Sequence, residues 1–212
     1  KEDIGVVLAE SGFSGYLTVG QLVPIMSAMN KKFDKDNFIK GCSKYKIPMQ
    51  KKIKDFSTGM KTKLKLLLAI SHDAKLLILD EPTSGLDVVV RDEFLGILQE
   101  YMETGSRSIL ISSHISSDLE SLCDDFYMIH DGKIVLHEDT DCLLGSYGIL
   151  KPTPEQYVKL DKSYIMKTKK EAYGYRCLTN ERQFYLENYP DVVMEKGNLD
   201  EMILLMVRGE AV

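Results

Sequence analysis

The sharpest pattern in the chain is Leu76-Leu77-Ile78-Leu79, apolar at every position and ended abruptly by Asp80, Glu81 and Pro82. An unbroken short apolar run predicts a strand covered on both faces, as in a parallel sheet, not the alternation of a half-exposed one. Ile4 to Leu8 and Ser108 to Ser112 predict further strands. Between them, apolar positions recur at helical spacing. Leu22, Ile25, Met26 and Met29 follow Thr18 and Gln21, which are spaced as a capping box. Phe38, Ile39, Cys42 and Tyr45 follow Asp34, and Met60, Leu64, Leu67 and Leu68 follow Ser57, both suitable N-caps. Phe94, Leu95, Leu98, Tyr101 and Met102 follow Asp87 and end at Gly105. Pro24 conflicts with the first of these helices, since an interior proline costs roughly 3 kcal/mol.

Strand, helix and strand in alternation predict a parallel α/β sheet, with residues 13–74 forming a helical insert inside a domain of residues 1–140. Ser117 and Glu120 have capping-box spacing, and the Asp131-Gly132 pair between Phe126–Ile129 and Lys133–Leu136 predicts a type I′ hairpin. Past Thr140, Gly145, Gly148, Pro152 and Pro154 read as a linker. Residues 141–212 then read as a small α+β appendage. Its short strands fall at Tyr164–Lys167, Tyr173–Leu178 and Val192–Met194, and its last helix buries Met202, Ile203 and Met206.

Composition narrows the class. A chain of 212 residues with 44% hydrophobic and 28% charged side chains is ordinary globular material. The net charge of −5 argues against nucleic-acid binding by bulk electrostatics. Cys42, Cys123, Cys142 and Cys177 lie far apart, without zinc-ligand spacing, and predict reduced thiols. No apolar run approaches the ~18 residues of a membrane span.

The chemistry gathers where the central strand ends. Ligands of open α/β sheets sit at the C-terminal ends of strands. There Asp80 suits Mg²⁺ and Glu81 suits the activation of a water molecule. Ser57, Thr58, Gly59 and Met60 open a helix whose backbone amides, with a serine hydroxyl, suit an anion. His114 stands just past the strand at Ser108–Ser112.

The stretch LLILDEPTSGLD closely resembles the Walker B motif and D-loop of ATP-binding cassette (ABC) ATPases. Phe56-Ser57-Thr58-Gly59-Met60, some twenty residues upstream, resembles the family's LSGGQ signature but departs from it at Thr58 and Met60. His114 resembles the switch histidine. IGVVLAES resembles the strand and Q-loop, with Ala9 where the family commonly has glutamine and Glu10 beside it as a candidate oxygen ligand. The phosphate-cradling GxxxxGK[ST] loop does not occur in these residues. The resemblance thus covers residues 1 to about 140 and corresponds to the family's domain without its N-terminal strands and P-loop.

What the resemblance implies is a P-loop NTPase-like fold carrying ATP and Mg²⁺. Asp80 is then the metal ligand, and Glu81 and His114 are catalytic. Ser57, Thr58, Gly59, Met60, Ser84 and Asp87 contact nucleotide presented by a partner. The implied partners are a second ATP-binding subunit and a membrane permease, with no nucleic acid. The implied place is the cytoplasmic face of the membrane, and the FSTGMK signature and C-terminal extension look like bacterial exporter-type ATPases. These residues alone are expected to be inactive. A non-transport ABC ATPase, or a regulatory half that binds a partner cassette, are the alternatives. Of the first kind, chromosome-maintenance and break-repair ATPases need a heptad-rich segment before Ser57, which residues 17–54 lack, and the acidic balance disfavours translation-factor relatives.

Overall fold

In a computed structural model that describes residues 3–8 and 14–211, Leu76–Asp80 (β2) lies between two parallel neighbours, Ile4–Val7 (β1) and Ser108–Ser112 (β3). The register aligns Val6, Ile78 and Leu110 on one face, and Val7, Leu79 and Ile111 on the other. Val7, Leu77 and Leu79 on the second face are fully buried, and Ile109 and Ile111 beside them are half-buried. Helix α3 (Thr58–Ile70) packs against β1 so closely that a Cβ on Gly5 would stand 2.6 Å from the Ala69 carbonyl oxygen. The opposite face is open: Ile4, Val6 and Leu110 are 39%, 49% and 61% exposed. The all-apolar β2 therefore misreads as symmetric, because only one of its faces is fully covered among the described residues.

The helical insert comprises α1 (Val19–Met29), α2 (Lys35–Lys44), a short 3-10 turn at Ile53–Asp55, and α3. Its starts are those the sequence predicts. Thr18 and Gln21 form the full capping box, Asp34 accepts from the Asn37 amide, and Ser57 accepts from the Met60 amide. Helix α1 continues across Pro24. Burial of Val19, Leu22 and Val23 in a core with Phe38, Cys42, Leu64 and Leu67 offsets the lost hydrogen bond. Helix α4 (Val88–Glu103) follows β2 and buries Phe94, Ile97, Leu98 and Tyr101.

Residues 1–115 and 116–212 form separate compact units, whereas the sequence places the division near residue 140. The second unit begins with α5 (Ser116–Leu122) and the hairpin of β4 (Asp125–His130) and β5 (Lys133–Asp139). Asp131 and Gly132 both have positive φ, as a type I′ turn requires. Phe126 and Met128 of the hairpin share a core with Leu143, Ile149, Leu178, Leu199, Met202 and Leu205, which is why the hairpin belongs with the C-terminal segment. Glu120 of α5 accepts from the Leu199 amide, 3.1 Å away.

The expected linker is structured. It forms α6 (Thr140–Ser146) and β6 (Gly148–Lys151), followed by α7 (Pro154–Lys159), β7 (Ile165–Glu171), β8 (Gly174–Thr179), α8 (Arg182–Asn188), β9 (Val193–Glu195) and α9 (Leu199–Arg208). The antiparallel order β7-β8-β6-β9 makes β6 an inner strand of a βαββαβ, ferredoxin-like sheet. Gly148 is there for close approach and not as loop punctuation, since a Cβ would stand 2.8 Å from the Met194 sulfur. On α9, Met202 is buried as expected and Ile203 and Met206 are half-buried, while Leu199 and Leu205 complete the buried stripe. All four cysteines are free.

The open β1–β3 face generates a solubility prediction. Val6→Thr with Leu110→Thr places β-branched residues, which suit a strand, at two exposed positions, so stability should change by less than about 0.5 kcal/mol. Concentration-dependent association, followed by light scattering, should fall because a contiguous apolar patch is broken. Unchanged association would show that this face is not the adhesive surface.

Candidate functional site

Where β2 ends, its backbone turns sharply. Glu81 has φ +46°, a left-handed conformation that is uncommon for a side chain with a Cβ and is met often at functional sites. The turn is pinned from β3. The Glu81 amide donates to the Ser112 carbonyl oxygen and to Ser112 Oγ, each at 3.1 Å, and Ser112 Oγ donates to Asp80 Oδ1 at 2.8 Å. Register places Ser112 there, because it is the direct neighbour of Asp80 across the parallel pair.

The turn aims the Glu81 carboxylate at His114. Nδ1 of His114 lies 2.6 Å from Glu81 Oε2, and the His114 backbone amide donates to the same oxygen at 3.4 Å. An ionised carboxylate only accepts, so Nδ1 carries the proton in this pair. Nε2 is left for another partner. The His114 side chain is 66% exposed and that of Glu81 34%, so both remain within reach of a ligand. Pro82 to Leu86 then fold into a tight loop. The Ser84 amide donates to the Glu81 carbonyl, the Leu86 amide donates to the Thr83 carbonyl, and Gly85 takes a positive φ. The loop ends at Asp87, whose side chain caps α4 by accepting from the Val90 amide at 3.0 Å.

Of the residues singled out from sequence, the structure brings together Asp80, Glu81 and His114, with Ser84 and Asp87 on the loop that follows them. The Ser57–Met60 turn is placed on α4 instead: Ser57 and Thr58 are exposed, Met60 is half-buried, and Gly59 is buried against Val90. Among the described residues, no hydrogen bond joins that turn to Asp80, Glu81 or His114. Glu10 lies outside the described residues. His72 is buried with Nε2 3.2 Å from the Ile4 carbonyl oxygen, and His137 stacks on Tyr127 at 4.0 Å, both structural placements.

Sequence reasoning missed Ser112. Its signal was present only in combination, as the register partner of the first carboxylate. For Mg²⁺, the donor set fits an ion that keeps several waters and asks the protein for one or two oxygens. Asp80, held by Ser112, offers such an oxygen, and among the described residues no group of three or more His, Cys, Asp or Glu gathers as a closed metal cage.

A family model described as ABC transporter matches residues 1–84, and one described as AAA domain, AbiEii toxin, type IV TA system matches residues 52–117. The chain is 30% identical over 164 residues to the ABC transporter ATP-binding protein YtrB of Bacillus subtilis, covering 77% of this chain and 53% of that protein. It is 43% identical over 89 residues to the lantibiotic transport ATP-binding protein SrtF of Streptococcus pyogenes, covering 42% of this chain and 38% of that protein. A solved structure of the ATP binding subunit of an ABC transporter matches in fold, with a TM-score of 0.58 and 20% identity over 67% of this chain and 61% of that chain. The chain spans about half the length, or less, of these curated relatives.

The left-handed turn at Glu81 can be tested without any activity. Both Glu81→Gly and Glu81→Ala lose the carboxylate, but only glycine accepts φ +46° without a Cβ penalty. Glu81→Gly should therefore be more stable than Glu81→Ala by about 1 kcal/mol in denaturant titration. An alanine variant as stable as the glycine variant would mean that the turn is not held as described.

Proposed function

Because this chain belongs to the family of ABC transporter ATP-binding proteins, we propose that it is the ATP-binding and ATP-hydrolysing part of a transporter that powers a membrane permease. The observation that carries this reading is the Glu81–His114 pair beside Asp80, at the C-terminal end of the central parallel strand. Glu81 is the general base: its carboxylate stands ready to orient a water molecule and take its proton as that water attacks the terminal phosphate. His114 holds Glu81 through Nδ1, and as an imidazolium its Nε2–H would donate to the phosphate. Asp80, steadied by Ser112, holds Mg²⁺, whose chemistry is to neutralise charge on the phosphate oxygens.

Ser57, Thr58, Gly59 and Met60, with Ser84 and Asp87, face nucleotide held by a second ATP-binding subunit. The first turn of α3 offers its Thr58 and Gly59 amides to phosphate oxygens, the Met60 amide being taken by Ser57 Oγ. Val88 and Val89, directly after Asp87, are 81% and 68% exposed, an apolar pair placed where a partner subunit would cover it. The phosphate-cradling Gly-Lys-Ser/Thr loop is not among these residues, so hydrolysis by them alone is not expected. Among the described residues no helix is long and apolar enough to cross a membrane, and the proposed attachment to the inner membrane face is through the permease.

In the full-length protein, Glu81→Gln should lower ATP turnover by about two to four orders of magnitude and leave nucleotide binding in place. His114→Ala should slow hydrolysis more than it weakens binding, since its contact matters most as charge shifts in the transition state. Steady-state phosphate release and nucleotide titration measure both. Near-normal turnover in Glu81→Gln would remove it from the role.

A further inference from the structure

The first turns of α3 and α4 touch at one point. A Cβ on Gly59 would stand 2.5 Å from Val90 Cγ1 and 3.2 Å from Cγ2, so the neighbouring helix demands glycine here whatever a ligand demands. One turn further along each helix the contact continues. The Lys63 side chain is 9% exposed, and its Nζ lies 2.6 Å from Glu93 Oε2. Positions 59 and 63 share a face of α3, and 90 and 93 share a face of α4, so both contacts belong to a single seam. The same residue ties the seam to the loop before α4, because Val90 gives its amide to the Asp87 cap and its side chain to Gly59. On the other side of the seam, Ser57 caps α3 through the Met60 amide.

We propose that Val90 is a positioning residue. It locks the Ser57–Met60 turn to the Ser84–Asp87 loop so that both meet a partner's nucleotide as one rigid surface, and Gly59 is glycine to admit it. The nucleotide half of this inference rests on the function proposed above, and the packing half does not. Lys63 and Glu93 extend the lock: a lysine this deeply covered is held by its carboxylate partner and its stem packs along the seam.

The test is a swap between the two helices. In the full-length protein, Gly59→Ala overpacks the seam and should lower the thermal midpoint by roughly 3–10 °C. Adding Val90→Ala removes both γ-carbons and should bring the midpoint back to within about 2 °C of Val90→Ala alone. With MgATP, Gly59→Ala should raise KM about tenfold or more, and the double variant should recover most of that loss. Recovery of the midpoint without recovery of KM would mean that Gly59 serves the ligand and not Val90, which overturns the proposal. Failure of the midpoint to recover overturns it too, even if the parent protein hydrolyses nothing. Absent turnover in the parent would count against the proposed function alone, since the midpoints still decide the packing.

Discussion

The arrangement at the end of β2 depends on one backbone conformation, the left-handed turn at Glu81. A strand that simply continued would carry Glu81 on along the sheet, since successive side chains alternate between its faces. The turn costs roughly 1–2 kcal/mol for a residue with a Cβ. It is held by the Glu81 amide on Ser112 and by the carboxylate on His114. Strain of this kind persists only where the surroundings over-determine it, and here Ser112 at the end of β3 and His114 just beyond it do so.

The remainder of the first unit serves that point. Parallel register aligns Asp80 with Ser112, and the burial of Leu77 and Leu79 fixes the face on which β2 sits. At the far end of the strand, Tyr101 of α4 donates to the Ala74 carbonyl oxygen, and Arg107 bonds Asp73. Helix α3 spans the insert and the sheet, with Leu64 and Leu67 in the insert's core and Ala69 against β1. The Ser57–Met60 turn is therefore attached to β2 through packed helices and not through a flexible loop.

Much of this was legible in the chain. LLILDEPTSGLD announces the strand, the carboxylates and the capped helix after them, and Ser57, Asp34 and Thr18 cap the helices they were expected to cap. What a local reading could not supply was partnership over distance. Glu81 and His114 are 33 residues apart, and nothing in either neighbourhood says that they touch. Ser112 gains its place only through register. Gly148 misled for the same reason: it looks like loop punctuation, but the Met194 side chain is pressed against it, and the packing of Val90 on Gly59 was equally invisible locally. The division of the chain was hidden because the hairpin's inward residues, Phe126 and Met128, carry no mark of the core they join.

The Glu81–His114 bond makes a claim about a single proton, and nitrogen NMR of His114 tests it most directly. In the neutral ring the proton should sit on Nδ1, held by the Glu81 carboxylate, which is the reverse of the tautomer that free histidine favours. Glu81→Ala should return the ring to the Nε2-protonated form. An Nε2-protonated His114 in the parent protein, unchanged by Glu81→Ala, would contradict the pairing on which this account of the site is built.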